Sequence, residues 1–151
     1  MTKLKEGDQA PGFKGVDQEG NPISLDDFKG HKLVLYFYPK DSTPGCTSQA
    51  CNLRDNYDYL LEKGYKVVGV SADSEKSHKK FIDKHELPFP LIADTEKEII
   101  KAYDVWAPKK FMGKEFMGII RTTFVIGENG KIEEIIDKVR TKDHTNQIIR
   151  T

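Results

Sequence analysis

The sequence predicts an α/β fold with a largely parallel sheet that is closed by an antiparallel hairpin. Apolar, β-rich runs at residues 32–38, 65–71 and 89–93 alternate with stretches carrying helix-capping signals, the order that builds parallel strand–helix–strand units with right-handed crossovers. A further run at 119–126 is followed by Glu128-Asn129-Gly130 and a returning run to residue 139, which is hairpin chemistry. The expected order is βαβαβαββα.

Each element has a local reason. Gln18-Glu-Gly-Asn21 is a turn signal and predicts a small N-terminal hairpin. Ser24-Leu-Asp-Asp27 is an N-cap followed by acidic first-turn residues, so a short helix is expected there. Residues 32–38 (KLVLYFY) read as a buried strand. A helix is expected over 44–63, with Pro44 in its first turn and Gly64 at the C′ position. Residues 65–71 (YKVVGVS) form the second β-rich run. A charged helix over 74–85 is expected to stop before Pro88, followed by a short strand at 89–93 and a helix over 96–103. A lysine-rich loop then leads into a continuous strand at 119–126 that contains Arg121. Residues 131–139 return as its hairpin partner, and Asp143 caps a last helix reaching the C-terminus. With no repeat, linker or low-complexity tract, residues 1–151 are expected to form a single domain.

The composition narrows the function. Hydrophobic residues are 37% and charged residues 32%, while Lys+Arg and Asp+Glu are both 24, for a formal net charge of zero. No basic excess points to nucleic acid or an anionic membrane, and no apolar run approaches the ~18 residues of a span. The N-terminal residues have no apolar h-region, so the cytoplasm is the expected compartment. There a cysteine pair is catalytic more often than it is a structural staple.

The chain has two cysteines, Cys46 and Cys51, at the head of the helix that follows the first buried strand. A helix N-terminus favours a thiolate. With Thr43 as N-cap, Cys46 is the third helical residue, among unpaired backbone N–H groups. At 100° per residue, Ala50, Leu53, Tyr57 and Leu60 lie within roughly 40° of Cys46, whereas Cys51 lies about 140° away. Cys46 thus heads the buried stripe, where the plain reading is a small core hydrophobe, and Cys51 sits off it. Residues five apart in an ideal helix have Cα atoms about 8.6 Å apart, beyond the ~7 Å a disulfide tolerates. Either the pair never bonds, or the first turns of the helix unwind.

Three more residues bear on this site. Pro39 ends the strand and offers no N–H. Thr43 carries a hydroxyl one turn before Cys46, able to accept or to donate, besides its plain role as N-cap. Arg121 stands in an apolar run, where a guanidinium is costly unless it pairs with an anion or reaches water along its stem. Paired, it would face the Cys46 thiolate and charge developing on a substrate oxygen. Lowering a thiol pKa from 8.5 to 6 raises the thiolate fraction at pH 7 only about thirtyfold. Positioning and stabilisation of the leaving oxygen must supply the rest.

Pro39, Thr43 and Cys46 meet the pattern Pro-x-x-x-Thr-x-x-Cys, and with Arg121 in IIRTTFVI the chain resembles the peroxiredoxins. The stretch YFYPKDSTPGCTSQAC, the block from VW to FMGKEFMGIIRTTFVI and the NGKI turn resemble the bacterioferritin-comigratory, or Q-type, subgroup, from about Leu4 to the final helix. The resemblance implies a thioredoxin-like fold, a central mixed β-sheet flanked by helices, with an N-terminal hairpin extension. It implies a thiol peroxidase in which Cys46 attacks the peroxide and becomes a sulfenic acid. Cys51, matching the resolving cysteine, then condenses with it to an intramolecular disulfide, and a thioredoxin-type dithiol reduces that bond. Pro39 would shield the sulfenic acid, and Thr43 and Arg121 would hold the peroxide oxygens. The subgroup implies a monomer. Gln49 stands where a glutamate is frequent, so charge pairing with the arginine would be weaker, and Gly127 stands where an acidic residue is common.

The remaining candidates read plainly. His31, His78, His85 and His144 are scattered without ligand spacing, so no zinc site is expected, nor any other cofactor, and His78 and His85 are expected on a solvated helix face. Trp106, Phe111, Met112, Phe116 and Met117 are expected in the core, or else as the apolar wall of a hydroperoxide pocket or a reductase-docking surface. Lys109-Lys110 reads as solvated charge. Two rival functions use the same cysteines. A dithiol–disulfide oxidoreductase would use Cys-x-x-Cys, against the four intervening residues here. A non-catalytic redox-sensing module would use the unwinding to recruit a partner.

Overall fold

In the computed structural model, which describes residues 2–149, five strands form a central mixed sheet. They are β3 (Lys32–Phe37), β4 (Tyr65–Ser71), β5 (Leu91–Ala93), β8 (Thr122–Ile126) and β9 (Ile132–Ile136), in the order β5-β4-β3-β8-β9. β3, β4 and β5 run parallel, and β8 and β9 add antiparallel. This is the thioredoxin-like arrangement expected, with helical crossovers between the parallel strands.

Both faces of the sheet are covered, which is why its central strands are apolar without a break. Leu33, Leu35 and Phe37 of β3 pack with α4 (Glu98–Ala102) through Ile99 and Ile100. Val34, Tyr36 and Tyr38 point the other way. They pack with Cys46, Ala50 and Leu53 of α1 (Pro44–Asp55), Leu60 of α2 (Tyr57–Glu62), Phe81 of α3 (Glu75–His85) and Ile148 of α5 (His144–Ile148). The N-terminal hairpin is present as β1 (Lys14–Val16) and β2 (Pro22–Ser24), its turn held by Asp17 Oδ1, which accepts from the Glu19 and Asn21 N–H groups. After Ser24 comes one short 3₁₀ turn, Leu25–Phe28, with Asp27 accepting from the Ser24 N–H.

Three expectations are corrected. The helix expected over 44–63 breaks at Asn56, because the Asn56 side chain donates to the Asn52 carbonyl (2.8 Å), taking the acceptor the next helical N–H would use. Gly64 does follow the second piece with φ +90°. The lysine-rich loop is instead a hairpin, β6 (Trp106–Phe111) with β7 (Lys114–Ile119). Its two turn residues, Met112 and Gly113, both have positive φ (52° and 78°), the twist a tight hairpin favours. The strand expected over 119–126 is two strands. Ile119 pairs with Trp106 while Thr122 pairs with Phe37, so the chain changes sheets across Ile120 and Arg121.

Candidate active site

β3 delivers the chain to the site. The Tyr38 N–H makes the last ladder bond, to Val70 O (3.1 Å), and Pro39, half-buried, has no N–H to extend it. A turn over 40–43 follows, and Thr43 precedes α1 in extended conformation (φ −82°, ψ 152°). Pro44 takes the first helical position, and the Thr47 N–H closes the first helical bond on the Thr43 carbonyl (2.8 Å).

Cys46 is buried, 1% exposed, on the stripe with Ala50 and Leu53. Arg121 reaches it from the changeover between β7 and β8. Its Nη2 donates to Cys46 Sγ at 3.4 Å and its Nη1 to Gln49 Oε1 at 2.6 Å. The changeover explains why an arginine is tolerated in an apolar run: Arg121 belongs to neither strand, and the adjoining Thr122 sits opposite Phe37, the end of β3 that leads to the cysteine turn. Gly45 makes room for it, since a Cβ there would stand 3.2 Å from Nη2. Gln49 is fully buried, and its amide oxygen does here what a carboxylate would do with less desolvation.

Thr43 enters differently from the expectation. Its hydroxyl donates to Lys40 O (2.9 Å), so its proton is engaged and its oxygen can only accept from a substrate. Cys51 is half-buried off the stripe, its Sγ 3.9 Å from His85 Nδ1. Burial and the charges of Lys84 and Arg54 push His85 down from the usual histidine range. Both thiols are free, and α1 is continuous between them. The helix is tethered beyond Cys51. Arg54 Nη1 donates to His85 O (2.8 Å), and Asn52 takes the Thr145 N–H (2.8 Å) and donates to Lys142 O (3.0 Å).

Several surroundings depart from the sequence reading. His78 is wholly buried rather than solvated, because its ring has specific partners in Asp41 and Ile92 O. His144 is buried as well, between Thr123 and Gln147. Lys109 is half-buried, donating to Ile119 O (3.0 Å). Burial and the Arg121 charge push it down from the ordinary lysine range, with Cys46 opposing. Lys110 is exposed as expected. Phe111, Met112, Phe116 and Met117 are exposed on the hairpin rather than in the core, since that two-stranded sheet has no layer over its tip. Tyr36, buried beneath the site, is pushed well above the usual tyrosine range by burial, then by Cys46 and Asp41, against Arg121. Gln49, which stands where a glutamate is frequent, does pair with the arginine, whereas the Asp41–His78 contact has no periodic signal in the sequence because its two side chains come from elements 37 residues apart.

A thiol beside a guanidinium, with a second thiol five residues along the same helix, is equipped for two-electron sulfur chemistry. On this scaffold it defines a thiol-dependent oxidoreductase. The AhpC/TSA family model matches residues 6–135. The chain is 45% identical to peroxiredoxin Bcp of Bacillus subtilis over 98% of its length and 94% of that protein. It is 43% identical to peroxiredoxin Bcp of Escherichia coli K12 over 99% and 96%. Among solved structures, a Xylella fastidiosa PrxQ mutant superposes with a TM-score of 0.91 at 31% identity, covering 98% of this chain and 94% of that one. Xanthomonas campestris peroxiredoxin Q does so with 0.86 at 34%, covering 97% and 93%. The chain belongs to the AhpC/TSA family, among the Bcp, or Q-type, peroxiredoxins. It is a thiol peroxidase, reducing peroxides at the expense of a thiol reductant. No helix among the described residues is long and apolar enough to cross a membrane.

Proposed function

We propose that Cys46 is the peroxide-attacking thiol and Cys51 the thiol that resolves it, within a single domain spanning residues 1–151. The Cys46 sulfur attacks one peroxide oxygen, the O–O bond breaks, and the other oxygen leaves as water or an alcohol after taking a proton. Cys46 becomes a sulfenic acid. Arg121 supplies positive charge where the sulfur and the leaving oxygen carry negative charge. Thr43 accepts from the peroxide O–H, and Pro39 walls the pocket. The observation that carries this reading is the Arg121 fork, one arm on the Cys46 sulfur and the other on buried Gln49.

Cys51 then attacks the sulfenic sulfur. The S–O bond breaks, water leaves, and an intramolecular disulfide forms. The continuous helix between the two cysteines keeps them too far apart for this, so the first turns of α1 unwind locally before the bond closes. A thioredoxin-type dithiol attacks the disulfide and restores both thiols. The substrates are hydrogen peroxide and organic hydroperoxides, the protein acts as a monomer in the cytoplasm, and the cycle uses no metal or cofactor.

The test is peroxide consumption with thioredoxin, its reductase and NADPH. Cys46→Ser is expected to abolish turnover. Cys51→Ser is expected to permit the first oxidation and stop the cycle. Mass spectrometry of the oxidised protein should find a Cys46–Cys51 linkage within one chain. Full activity of Cys46→Ser, or linkage only between chains, would overturn the assignment.

A further inference from the structure

The turn ahead of Cys46 rests on a buried polar network for which peroxide chemistry has no direct use. Asp41 lies in that turn, between Pro39 and Thr43, and its side chain is buried. Its Oδ1 accepts from the Tyr38 hydroxyl (2.6 Å), and its Oδ2 accepts from Ser77 Oγ (2.8 Å) and His78 Nδ1 (2.7 Å). The Asp41 N–H donates to Asp73 Oδ2 (2.8 Å), which also accepts from Ser71 Oγ (2.7 Å). The far nitrogen of His78 faces Ile92 O at 2.9 Å. The ring therefore bridges the Asp41 carboxyl group and the Ile92 carbonyl, with a hydrogen bond at each nitrogen.

Asp41, Asp73 and His78 hold their ligand atoms within 4.8 Å of one another. Each of those atoms has a hydrogen-bond partner within the network, so the group closes on itself without a cation. Packing alone does not explain it, because well-shaped apolar side chains generally serve a core as well as a buried hydrogen-bonded pair. What distinguishes the network is where its bonds converge. Two groups of α3, the tyrosine that follows β3 and one carboxylate after β4 all seize a single residue of the turn. The next residue, Ser42, is held at φ +64°, a conformation a non-glycine residue keeps only where its surroundings impose it. One residue further on is Thr43, whose hydroxyl is aimed by Lys40 O within the same turn.

We propose that Asp41 and His78 are positioning residues for peroxide reduction. Their buried contact ties the turn to α3, and so fixes Pro39, the Thr43 hydroxyl and the first turn of α1 where the peroxide is received. This rests on the reading of Cys46 as the peroxide-attacking thiol. Small displacements of such groups are costly, since a shift of about 1 Å can lower a rate about a hundredfold.

The test uses a Cys51→Ser background, so that Cys46 is the only thiol. Two second-order constants are measured across pH, one for oxidation by hydrogen peroxide and one for alkylation by iodoacetamide, which needs the thiolate but no peroxide-holding groups. Asp41→Asn and His78→Gln are each expected to slow oxidation about tenfold to a hundredfold while alkylation moves less than about threefold. The double variant, which leaves no lone buried charge, is expected to show the same selective loss, and it decides the matter if a single change prevents folding. Parallel loss of both constants in the double variant, or unchanged oxidation, would overturn the proposal. Undiminished peroxide consumption by Cys46→Ser/Cys51→Ser would instead overturn the assignment of Cys46, a distinguishable result.

Discussion

Replacing Arg121 by methionine keeps the stem and removes the fork. Two bonds disappear, Nη2 to Cys46 Sγ at 3.4 Å and Nη1 to Gln49 Oε1 at 2.6 Å. The sulfur contact changes most along the reaction, because charge passes from the sulfur to the leaving oxygen. A hydrogen bond to a charged group contributes about 1.5–3 kcal/mol, so the second-order constant for peroxide is expected to fall roughly tenfold to a hundred and fiftyfold. The Gln49 contact governs stability instead. Gln49 Nε2 already has no protein partner among the described residues, and losing Arg121 would strand its oxygen too, at about 1–3 kcal/mol. A lower Tm should therefore accompany the slower reaction. Arg121→Lys should fall between, since a single ammonium cannot serve both the sulfur and Gln49 in the fork geometry. The assay is rapid mixing with peroxide, followed by Trp106 fluorescence, because Trp106 pairs with Ile119 two residues from Arg121. A folded Arg121→Met protein that reacts within about threefold of wild type would refute the electrostatic role. Wild-type behaviour of Arg121→Lys would refute the need for a fork.

Three other outcomes follow from the geometry. Asn52→Ala removes the bonds that tie α1 to Thr145 and Lys142, weakening the closed helix by about 1–3 kcal/mol. Disulfide formation after oxidation should then speed up about fivefold to a hundred and fiftyfold, and an unchanged rate would mean these contacts survive the opening. His144 is pushed below the usual 6.5, mainly by burial, with Arg121 and Arg140 adding to it and Gln147 opposing. The unfolded chain therefore takes the proton first, so stability is present above about pH 6.5 and is lost as the pH falls through the folded value. Urea unfolding at pH 7.5 and 5.5 should show that loss, reduced in His144→Gln, and an unaltered difference would exclude His144 as its source. Gly69→Ala would set a Cβ 2.7 Å from Leu91 and 2.9 Å from Tyr36. It should destabilise by about 1–3 kcal/mol through overpacking beneath the site, read as a lower denaturant midpoint, and a neutral result would mean that Leu91 and Tyr36 can yield.

The legible parts were those with a local or periodic cause. Residues 65–71 are all strand, as their valine-rich apolar run predicts, and the stripe from Cys46 through Ala50 and Leu53 to Leu60 is buried as helical spacing dictates. The charged helix expected over 74–85 is present as α3, one residue shorter because Ser74 is its cap. The misread parts depend on partners far along the chain. Asn56 breaks the helix through a side-chain bond that competes with the backbone. The run IIRTTFVI looks continuous, but Ile119 and Thr122 pair with different strands. His78 looked solvated on a lysine-rich helix because its partner, Asp41, lies 37 residues away.

The sequence by itself determined that this chain is an α/β protein with one cysteine on a buried stripe, a second off it, and a spacing that a closed helix cannot bridge. Those are consequences of strand and helix periods, which neighbouring residues set. Only the tertiary structure decided where Arg121 stands, that Gln49 holds its other arm, that the Thr43 hydroxyl is already donating, and that a buried Asp41–His78 contact secures the turn. Each of those depends on elements distant in sequence meeting at the end of β3, and the cost of burying polar groups there is offset only when all of their partners arrive together.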